Sequence, residues 1–437
     1  MENHEHGGMR RYYGKTFLIG LGFFTMGLMD ILYDAYVPIF LRDFISLKSV
    51  IGTVMTLDNI FALFLIPIVA AISDRTRTPI GRRMPFILVT LPLSALFFAS
   101  IPFAAAKGLA LLIIILFMLN VFKQSGRGPV VALMPDTIPG EYRSEANGVI
   151  NTMGGLGAII GTVGLARLMD LSIDLPLIGN TERKLPFLIA GVLVIVSVIL
   201  LFLFIKERHH DEKAEKNEPI IGSLKLILAS KDRSAVLVLV SLLAWFFGYQ
   251  GLLPFLTMYS VDFMGVSLGT AALAQGSVAV AYAVFAIPSG MIAHRIGRKR
   301  TIRISLIGAG AVCLLIFLHH PITSGLGMSG GPAFVVFCAV LFFFGIFWAA
   351  IITNSFPMLW QMATYDNMGI YTGLYYFFSQ AAAILSPPVT GGISDLAGLR
   401  SLFVFTAACF VTAFIIMGFV TKGEAVDTME NGNRNDA

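Results

Sequence analysis

Two acids four apart, Asp30 and Asp34, stand in the stretch MDILYDAYVPIF (29–40), inside an apolar run extending from about Thr16 to Leu41. A second pair of the same spacing and opposite charge, Lys123 and Arg127, interrupts another apolar run, and a single acid, Asp58, a third. Crossing a bilayer takes roughly 20 residues, and a carboxylate at the centre of such a helix costs at least ~2.5 kcal/mol. The i, i+4 spacing puts each pair on one helix face. Measured from Thr16, Ile72 and Pro135 at about 1.5 Å per residue, Asp30 lies ~21 Å up its run, Asp58 ~21 Å, Lys123 ~18 Å, Asp34 ~27 Å and Arg127 ~12 Å. Charges from three runs therefore share a level near the bilayer middle. The chemistry this allows is ion coupling: a carboxylate whose cationic neighbour is alternately bound and released can take up a proton in step with a substrate. The plain alternative is an ion-pair network that only holds helices together. Asp58 has a local partner available in Asn59, and Arg127, beside Gly128-Pro129, could instead grip a substrate carboxylate or hydroxyls.

Catalytic patterns are missing. The chain has no HExxH, no Ser/His arrangement and no GxxxxGK[ST] phosphate loop. Cys313, Cys338 and Cys409 are far apart in apolar runs, so neither a metal site nor a disulfide framework is expected. His4 and His6 fall in the N-terminal tail, His209, His210 and His294 in basic loops, and His319 and His320 at the opposite edge. The expectation is a protein that is not an enzyme and has no cofactor or metal, its coupling ion being H+ with Na+ as the alternative.

The elements that must position these charges are membrane helices. Of 437 residues, 56% are hydrophobic and 13% charged, too few charges to cover a water-soluble surface of this size. The sequence pI near 9.0 does not indicate nucleic acid, because the cations cluster in loops between apolar runs. The N-terminus, MENHEHGGMRRYYGK, shows no secretory signal, and the first apolar run is too long for a signal h-region. Twelve apolar runs follow one another: 16–41, 50–72, 86–105, 109–135, 145–169, 186–205, 234–258, 269–293, 302–319, 333–360, 369–392 and 402–421. Interior prolines (Pro38, Pro67, Pro129, Pro254, Pro288, Pro357, Pro387) predict kinks. The polar stretch Glu207–Arg233, with an amphipathic second part, IIGSLKLILAS, splits the chain six plus six, giving units 1–206 and 234–437 joined by a cytoplasmic linker, 207–233. With the N-terminus in the cytoplasm, 22 of the 31 Lys and Arg fall on that side and six on the other, so the chain is expected to cross the cell membrane with both termini cytoplasmic.

The halves also repeat. LYDAYVP (32–38) aligns with GYQGLLP (248–254), pairing Tyr33 with Tyr249, Asp34 with Gln250 and Pro38 with Pro254 at an offset of 216; Gly81 pairs with Gly297 at the same offset, in the basic loops. ANGVINTMGGLGAII (146–160) aligns with YTGLYYFFSQAAAIL (371–385) at an offset of 225. Parallel six-helix repeats are the signature of carriers that alternate access around a midplane site. The predicted fold class is an all-α membrane protein of about twelve helices in two pseudo-symmetric six-helix bundles.

Two segments carry a family likeness. SDRTRTPIGRRMPF (73–86) resembles the loop signature of the major facilitator superfamily, and its SDR…GRR-x-PF form is similar to the sucrose/proton symporters and the glycoside–pentoside–hexuronide:cation symporters. RGPVVALMPDTIPGEYRSEANGVINTMGGLGAIIG (127–161) resembles the fourth-to-fifth helix segment of the same group, and GIYTGLYYFFSQAAAILSPPVTGGISD (369–395) does so more weakly. The resemblance implies a central cavity between two bundles and cation-coupled sugar uptake. Melibiose-type carriers have two acids four apart on helix two, whereas here Asp58 stands alone with Ala62 one turn on.

The expected site therefore has three parts. Coupling falls to Asp30, Asp34, Asp58, Lys123 and Arg127, with Asp30 the leading acid. Substrate contact is assigned to Tyr33 and to uncharged residues of the second half, Tyr249, Gln250, Trp348, Asn354, Tyr371, Tyr375 and Gln380, since sugars bind by aromatic stacking and neutral amides and hydroxyls; each of these is also a plausible packing residue, and Trp360 and Tyr365 suit the interfacial belt. A cytoplasmic gate is placed at Asp74, Arg75, Gly81, Arg82 and Arg83, with Asp136, Glu141, Arg143 and Glu145 as partners and Arg295, Gly297, Arg298 and Lys299 as the repeat's counterpart; the bland reading of the same cations is topology and lipid headgroups. Gly148, Gly154, Gly155, Gly157 and Gly161 predict close helix packing. The function expected is proton- or cation-coupled symport of a sugar or glycoside by a monomer in the lipid bilayer. The alternatives are a proton-coupled exporter of drugs or organic anions and a non-transporting sensor, for which the tails are short.

Overall fold

A computed structural model describes residues 12–139, 142–176, 178–207, 233–363 and 368–423. The expectations that fall on the tails, on Glu141, on Tyr365 and on all but the ends of the 207–233 linker lie outside the described residues. The first half comprises helices α1 (Tyr13–Arg42), α2 (Lys48–Met55), α3 (Leu57–Arg75), α4 (Met84–Ala105), α5 (Leu109–Thr137), α6 (Arg143–Ile159) and α7 (Leu185–Phe204). The second comprises α8 (Ser234–Met264), α9 (Leu268–Ala271), α10 (Leu273–Ile296), α11 (Arg298–Gly325), α12 (Gly331–Trp360), α13 (Met368–Ala397) and α14 (Ser401–Gly418). Taken as spans, with α2–α3 and α9–α10 each forming one, eleven helices are long and apolar enough to cross a membrane. The remaining one, α13, has the length but carries Tyr376, Ser379, Gln380 and Pro387 along its cavity face, and a second proline, Pro388, inside it.

Each predicted run became a helix, and most grew by a few residues. The growth is largest at Arg298–Gly325, where the cations at the basic end are helical too. The fifth span is less regular than its apolar run. After α6 the chain widens into a π turn, Ile160–Gly164, closed by the Leu165 N–H donating to the Ile160 carbonyl at 2.8 Å, and ends in a tighter 3₁₀ turn, Ala166–Asp170. A small hairpin, Asp174–Leu175 paired antiparallel with Gly179–Asn180, precedes α7. Large apolar side chains such as Phe64, Ile68, Leu96, Ile114, Leu203 and Ile287 cover the outside of the helices, as a lipid solvent requires.

Packing follows the repeat. α1 packs on α6 as α8 packs on α13; α3 on α5 as α10 on α12; α4 on α5 and α7 as α11 on α12 and α14. The α1–α6 contact is close because both helices offer glycine. A Cβ on Gly157 would overlap the backbone of Phe24 and Leu28, and one on Gly27 would overlap Gly154. Of the expected glycine stripe, Gly148 and Gly155 face open space instead. Gly81 and Gly297, matched by the repeat, both turn their loops with positive φ, +111° and +93°, which a side chain would resist.

The two halves meet on the side opposite the basic loops. Both second spans are broken near that side, at Thr56 and at Ala272, leaving the short helices α2 and α9. Each short helix presents its N-terminus to a carboxylate from the other half. Asp395, at the end of α13, accepts from the Lys48 N–H at 2.8 Å, the Ser49 N–H at 2.9 Å and the Ser49 hydroxyl at 2.9 Å. Asp170, at the end of the fifth span, accepts from the Ser267 hydroxyl at 2.6 Å and the Gly269 N–H at 3.1 Å. The two aspartates differ in number by 225, the offset that aligned their helices from sequence. An Arg42–Asp262 ion pair of 2.5 Å joins α1 to α8 on the same side. Among the contacts between described residues, every hydrogen bond and ion pair joining the first half to the second lies on this side.

Removing a helix cap costs roughly 0.5–2 kcal/mol. Asp170→Asn with Asp395→Asn is therefore expected to loosen this closure and shift the conformational equilibrium about tenfold or more. Spin labels at Ile173 and Leu326, in a cysteine-free background, should then report a larger share of long distances; an unchanged distribution would refute the role of the two caps.

Candidate functional site

A cavity of about 490 Å³ lies between the halves, within the size range of small-molecule sites. One wall is charged: Asp30 and Asp34 of α1, Asp58 and Asn59 of α3, and Arg127 of α5, with Met55 at the outer end. The other wall is uncharged: Phe246 and Gln250 of α8, Ile352 and Phe356 of α12, and Tyr375, Tyr376, Ser379 and Gln380 of α13.

The expected charge cluster assembles on the first wall. The Lys123 ammonium, 3% exposed, donates to Asp30 at 2.8 Å and lies 3.9 Å from Asp58. The Arg127 guanidinium reaches the other oxygen of Asp30 at 3.4 Å. Asn59 donates its amide to Asp58 at 2.9 Å. Asp30 thus has two cations and Asp58 one, while Asp34, one turn along, lines the cavity with no hydrogen-bond or ion-pair partner among the described residues. Lys123 does not reach the cavity surface; it is held from behind, 4.9 Å above the Tyr33 ring. A single cation shared by two acids in a partly wetted pocket is an exchangeable arrangement: neutralising one acid releases the ammonium to the other.

Three of the eight residues assigned to substrate contact line the cavity: Gln250, Tyr375 and Gln380. The other five do not. Tyr33 is buried, and its hydroxyl accepts from the Asn120 amide at 3.1 Å. Tyr249 stacks on Trp348 at 3.8 Å between ring centroids, and Phe246 meets Trp348 edge-on at 5.5 Å, so the pair packs behind the Phe246 wall. Asn354 is buried, its amide donating to the Ala350 carbonyl at 2.8 Å. Tyr371 packs against the helix core. The reason is common to all five: aromatic and amide side chains in a membrane helix find partners on neighbouring helices as readily as in a cavity. Sequence reasoning missed Phe246, Ile352, Phe356, Tyr376 and Ser379. The signal was available on α13, where Tyr376, Ser379, Gln380, Ala383 and Pro387 recur at helical spacing.

In the basic loop the arginines meet Asp136, one of the partners expected from the sequence. Arg82 binds Asp136 through two nitrogens, at 2.9 and 2.5 Å, and Arg83 binds the same carboxylate at 2.8 Å as well as Asp74 and the Ser73 hydroxyl. The bidentate Asp136 bond holds the Arg82 guanidinium above its usual pKa. These pairs join spans two, three and four of one half, and none crosses to the other. The helix end that the network serves is that of α4, and the acid that caps it is Glu207, which the sequence reading did not assign: its carboxylate accepts the N–H groups of Arg82 at 2.7 Å, Arg83 at 2.9 Å and Met84 at 2.7 Å. Arg143 donates to the Pro135 carbonyl at 2.9 Å, Glu145 accepts from the Tyr13 hydroxyl, and Arg75 and Arg295 are exposed. Lys299 donates to the Gly418 carbonyl at 3.2 Å.

Contacts between the halves on the side away from the basic loops, a central cavity between repeated half-structures and a buried charge cluster define a polytopic carrier. The family model of the Major Facilitator Superfamily matches residues 19–324 and 264–436, and the chain belongs to that superfamily. A human protein, solute carrier family 45 member 4, is 27% identical over 184 residues, 38% of this chain; the match spans only 23% of that relative's length. In fold, the chain is similar to a bacterial homologue of the human lysosomal transporter Spinster in an inward-facing and occupied conformation (TM-score 0.73, 14% identity, 94% of this chain and 97% of that one). It is likewise similar to a D-xylose–proton symporter (TM-score 0.69, 14% identity, 94% and 98%).

Removing one partner of a buried ion pair costs roughly 3–5 kcal/mol. Asp30→Asn is expected to lower thermal stability in detergent, and Lys123→Met in the same chain to restore more than half of the loss. Additive losses in the double variant would show that the two groups are not coupled.

Proposed function

We propose that this carrier is a secondary active symporter of a sugar or glycoside, driven by protons with Na+ as the alternative ion, and related to the sucrose/proton and glycoside–pentoside–hexuronide:cation symporters. It works as a monomer in the plasma membrane with both termini cytoplasmic. Units 1–206 and 234–437 rock about the cavity, with 207–233 as their linker, and the conformation described here is the one open toward the cytoplasm.

The observation that carries this reading is the division of the cavity. The charged wall offers a carboxylate pair bound to Lys123 and a further carboxylate, Asp34, without a partner among the described residues. Facing it, Gln250, Ser379, Gln380 and the tyrosines offer neutral donors and acceptors, and the Gln380 side-chain oxygen has no partner among the described residues. A neutral polyol suits such a surface, since hydroxyls can both donate and accept. Phe246 and Phe356 supply flat apolar faces for the sugar ring. Coupling follows if a proton enters at Asp34 and moves the Lys123 ammonium between Asp30 and Asp58, so that the cluster's charge changes while substrate occupies the opposite wall. Asp30 remains the central acid of this scheme, because both cations converge on it.

A second reading, export of amphipathic compounds, is favoured by the apolar share of the same lining, Phe246, Leu253, Ile352 and Phe356. Proteoliposome uptake of a radiolabelled sugar panel, with and without a pH gradient, separates the two. Sugar-dependent proton movement supports symport; drug movement blind to sugar supports export. Asp30→Asn is expected to abolish uphill accumulation while leaving counterflow exchange, and undiminished accumulation would overturn the coupling assignment. Gln380→Ala should raise KM about tenfold, the loss of one hydrogen bond.

A further inference from the structure

A second recess, about 460 Å³, opens between α11 and α14 at the end of the bundle that carries the basic loops, and is lined by Lys299, Arg300, Arg303, Ile304, Ile307 and Phe414. Arg300, Arg303, Ile304 and Ile307 follow i, i+3, i+4, i+7 spacing, so they form one stripe of α11. The stripe is cationic at the helix end and apolar one and two turns deeper, where Ile304 and Ile307 are exposed within a membrane-length helix. Lys299 is turned toward the Gly418 carbonyl at the end of α14 and the Val420 carbonyl just beyond it. The two arginines are not so engaged. Neither has a carboxylate within 4.0 Å among the described residues. Arg303 lies 4.4 Å over the Phe414 ring, and its Nε–H is buried without an acceptor among the described residues.

A buried guanidinium N–H lacking an acceptor marks an unmade bond. Its natural complement is a phosphate or carboxylate oxygen, for which the planar donor fork of arginine is suited. The position of the recess decides the occupant. The cations sit where helix α11 leaves the apolar core, and the isoleucines run from them into it, so the ligand must carry an anionic head and an apolar tail at that level. We infer that the recess binds an anionic phospholipid, its headgroup phosphate held by Arg300 and Arg303 and one acyl chain lying along Ile304 and Ile307. The lipid bridges α11 and α14, the pair whose counterparts α4 and α7 are joined at the same level by protein alone, through Glu207 beyond the end of α7 and the backbone at the start of α4.

The test is native mass spectrometry of the full-length protein in detergent, titrated with phosphatidylglycerol, phosphatidylcholine or inorganic phosphate. Phosphatidylglycerol should be retained in preference to phosphatidylcholine. Arg300→Gln and Arg303→Gln should each weaken it about fivefold, the scale of one basic residue near an anionic lipid, and Arg77→Gln, at an exposed arginine of the other half, should leave it unchanged. Equal retention of the two lipids, an unweakened Arg300→Gln/Arg303→Gln variant, an equal loss in Arg77→Gln, or displacement of the lipid by an equal concentration of inorganic phosphate would each overturn the assignment. Should the double variant fail to fold, the single change at exposed Arg300 decides.

Discussion

The ammonium of Lys123 is the group on which the rest of the interior depends. It is nearly fully buried, it belongs to α5, and its acids come from α1 and α3. A charge at that depth is tolerable only with partners, so three helices must be held in one register for it to be satisfied. The surrounding sequence does this with small and kinked elements rather than with polar contacts. Gly126 and Gly128 let α5 approach α4 and α3 closely, the former against Thr90 and the latter against the Ile66 carbonyl, and Pro67 and Pro129 sit in the facing helices one to three turns away. Tyr33 and Asn120, bonded to each other behind the ammonium, close the interior side. Only the cavity side is left open, and that side is where Asp30, Asp34 and Asp58 are wetted.

Closure of the side away from the basic loops uses a different physical device. Aspartates at the ends of two helices accept the free N–H groups at the starts of two others, which a helix N-terminus offers at no cost to its own hydrogen bonds. The contacts are short-range and directional, and they vanish on a separation of a few ångströms. This suits surfaces that must part and rejoin better than broad apolar packing would. The pairing is reciprocal, each half giving one carboxylate and one helix start, because it arose from one element used twice. The broken second spans, at Thr56 and Ala272, are what bring those helix starts into reach.

The frame of the protein was legible in the sequence because it rests on long-wavelength signals. Twelve apolar runs and the 216-residue offset between the halves do not depend on which way any one side chain points. The charge cluster was legible for a related reason: a buried charge in lipid has few places to go, so residue height along the helix sufficed to group Asp30, Asp58 and Lys123. The substrate wall was legible only in part. Trp348 and Asn354 of α12 are buried against other helices, and an apolar helix with no polar face gives no rotational reference from which to read that, whereas on α13 the helical spacing of Tyr376, Ser379 and Gln380, which line the cavity, did carry such a signal. Glu207 escaped for yet another reason, since its role is to cap a helix start distant in sequence, and the polar stretch it opens gives no sign of that contact.

The repeat itself marks where function departs from structure. Positions that the two halves share, Pro38 with Pro254 and Gly81 with Gly297, serve the same backbone purpose in each. Asp34 and Gln250 also correspond, and both line the cavity, yet one is an acid and the other an amide. Symmetry places the two side chains across from each other at one level; the difference between them gives the cavity a charged wall and a neutral one. A chamber with acids on both walls would hold like charges in mutual repulsion, and one with amides on both would have no group able to exchange a proton. In the proposed cycle the duplicated fold supplies the motion, and the unequal residues at its equivalent positions supply the coupling.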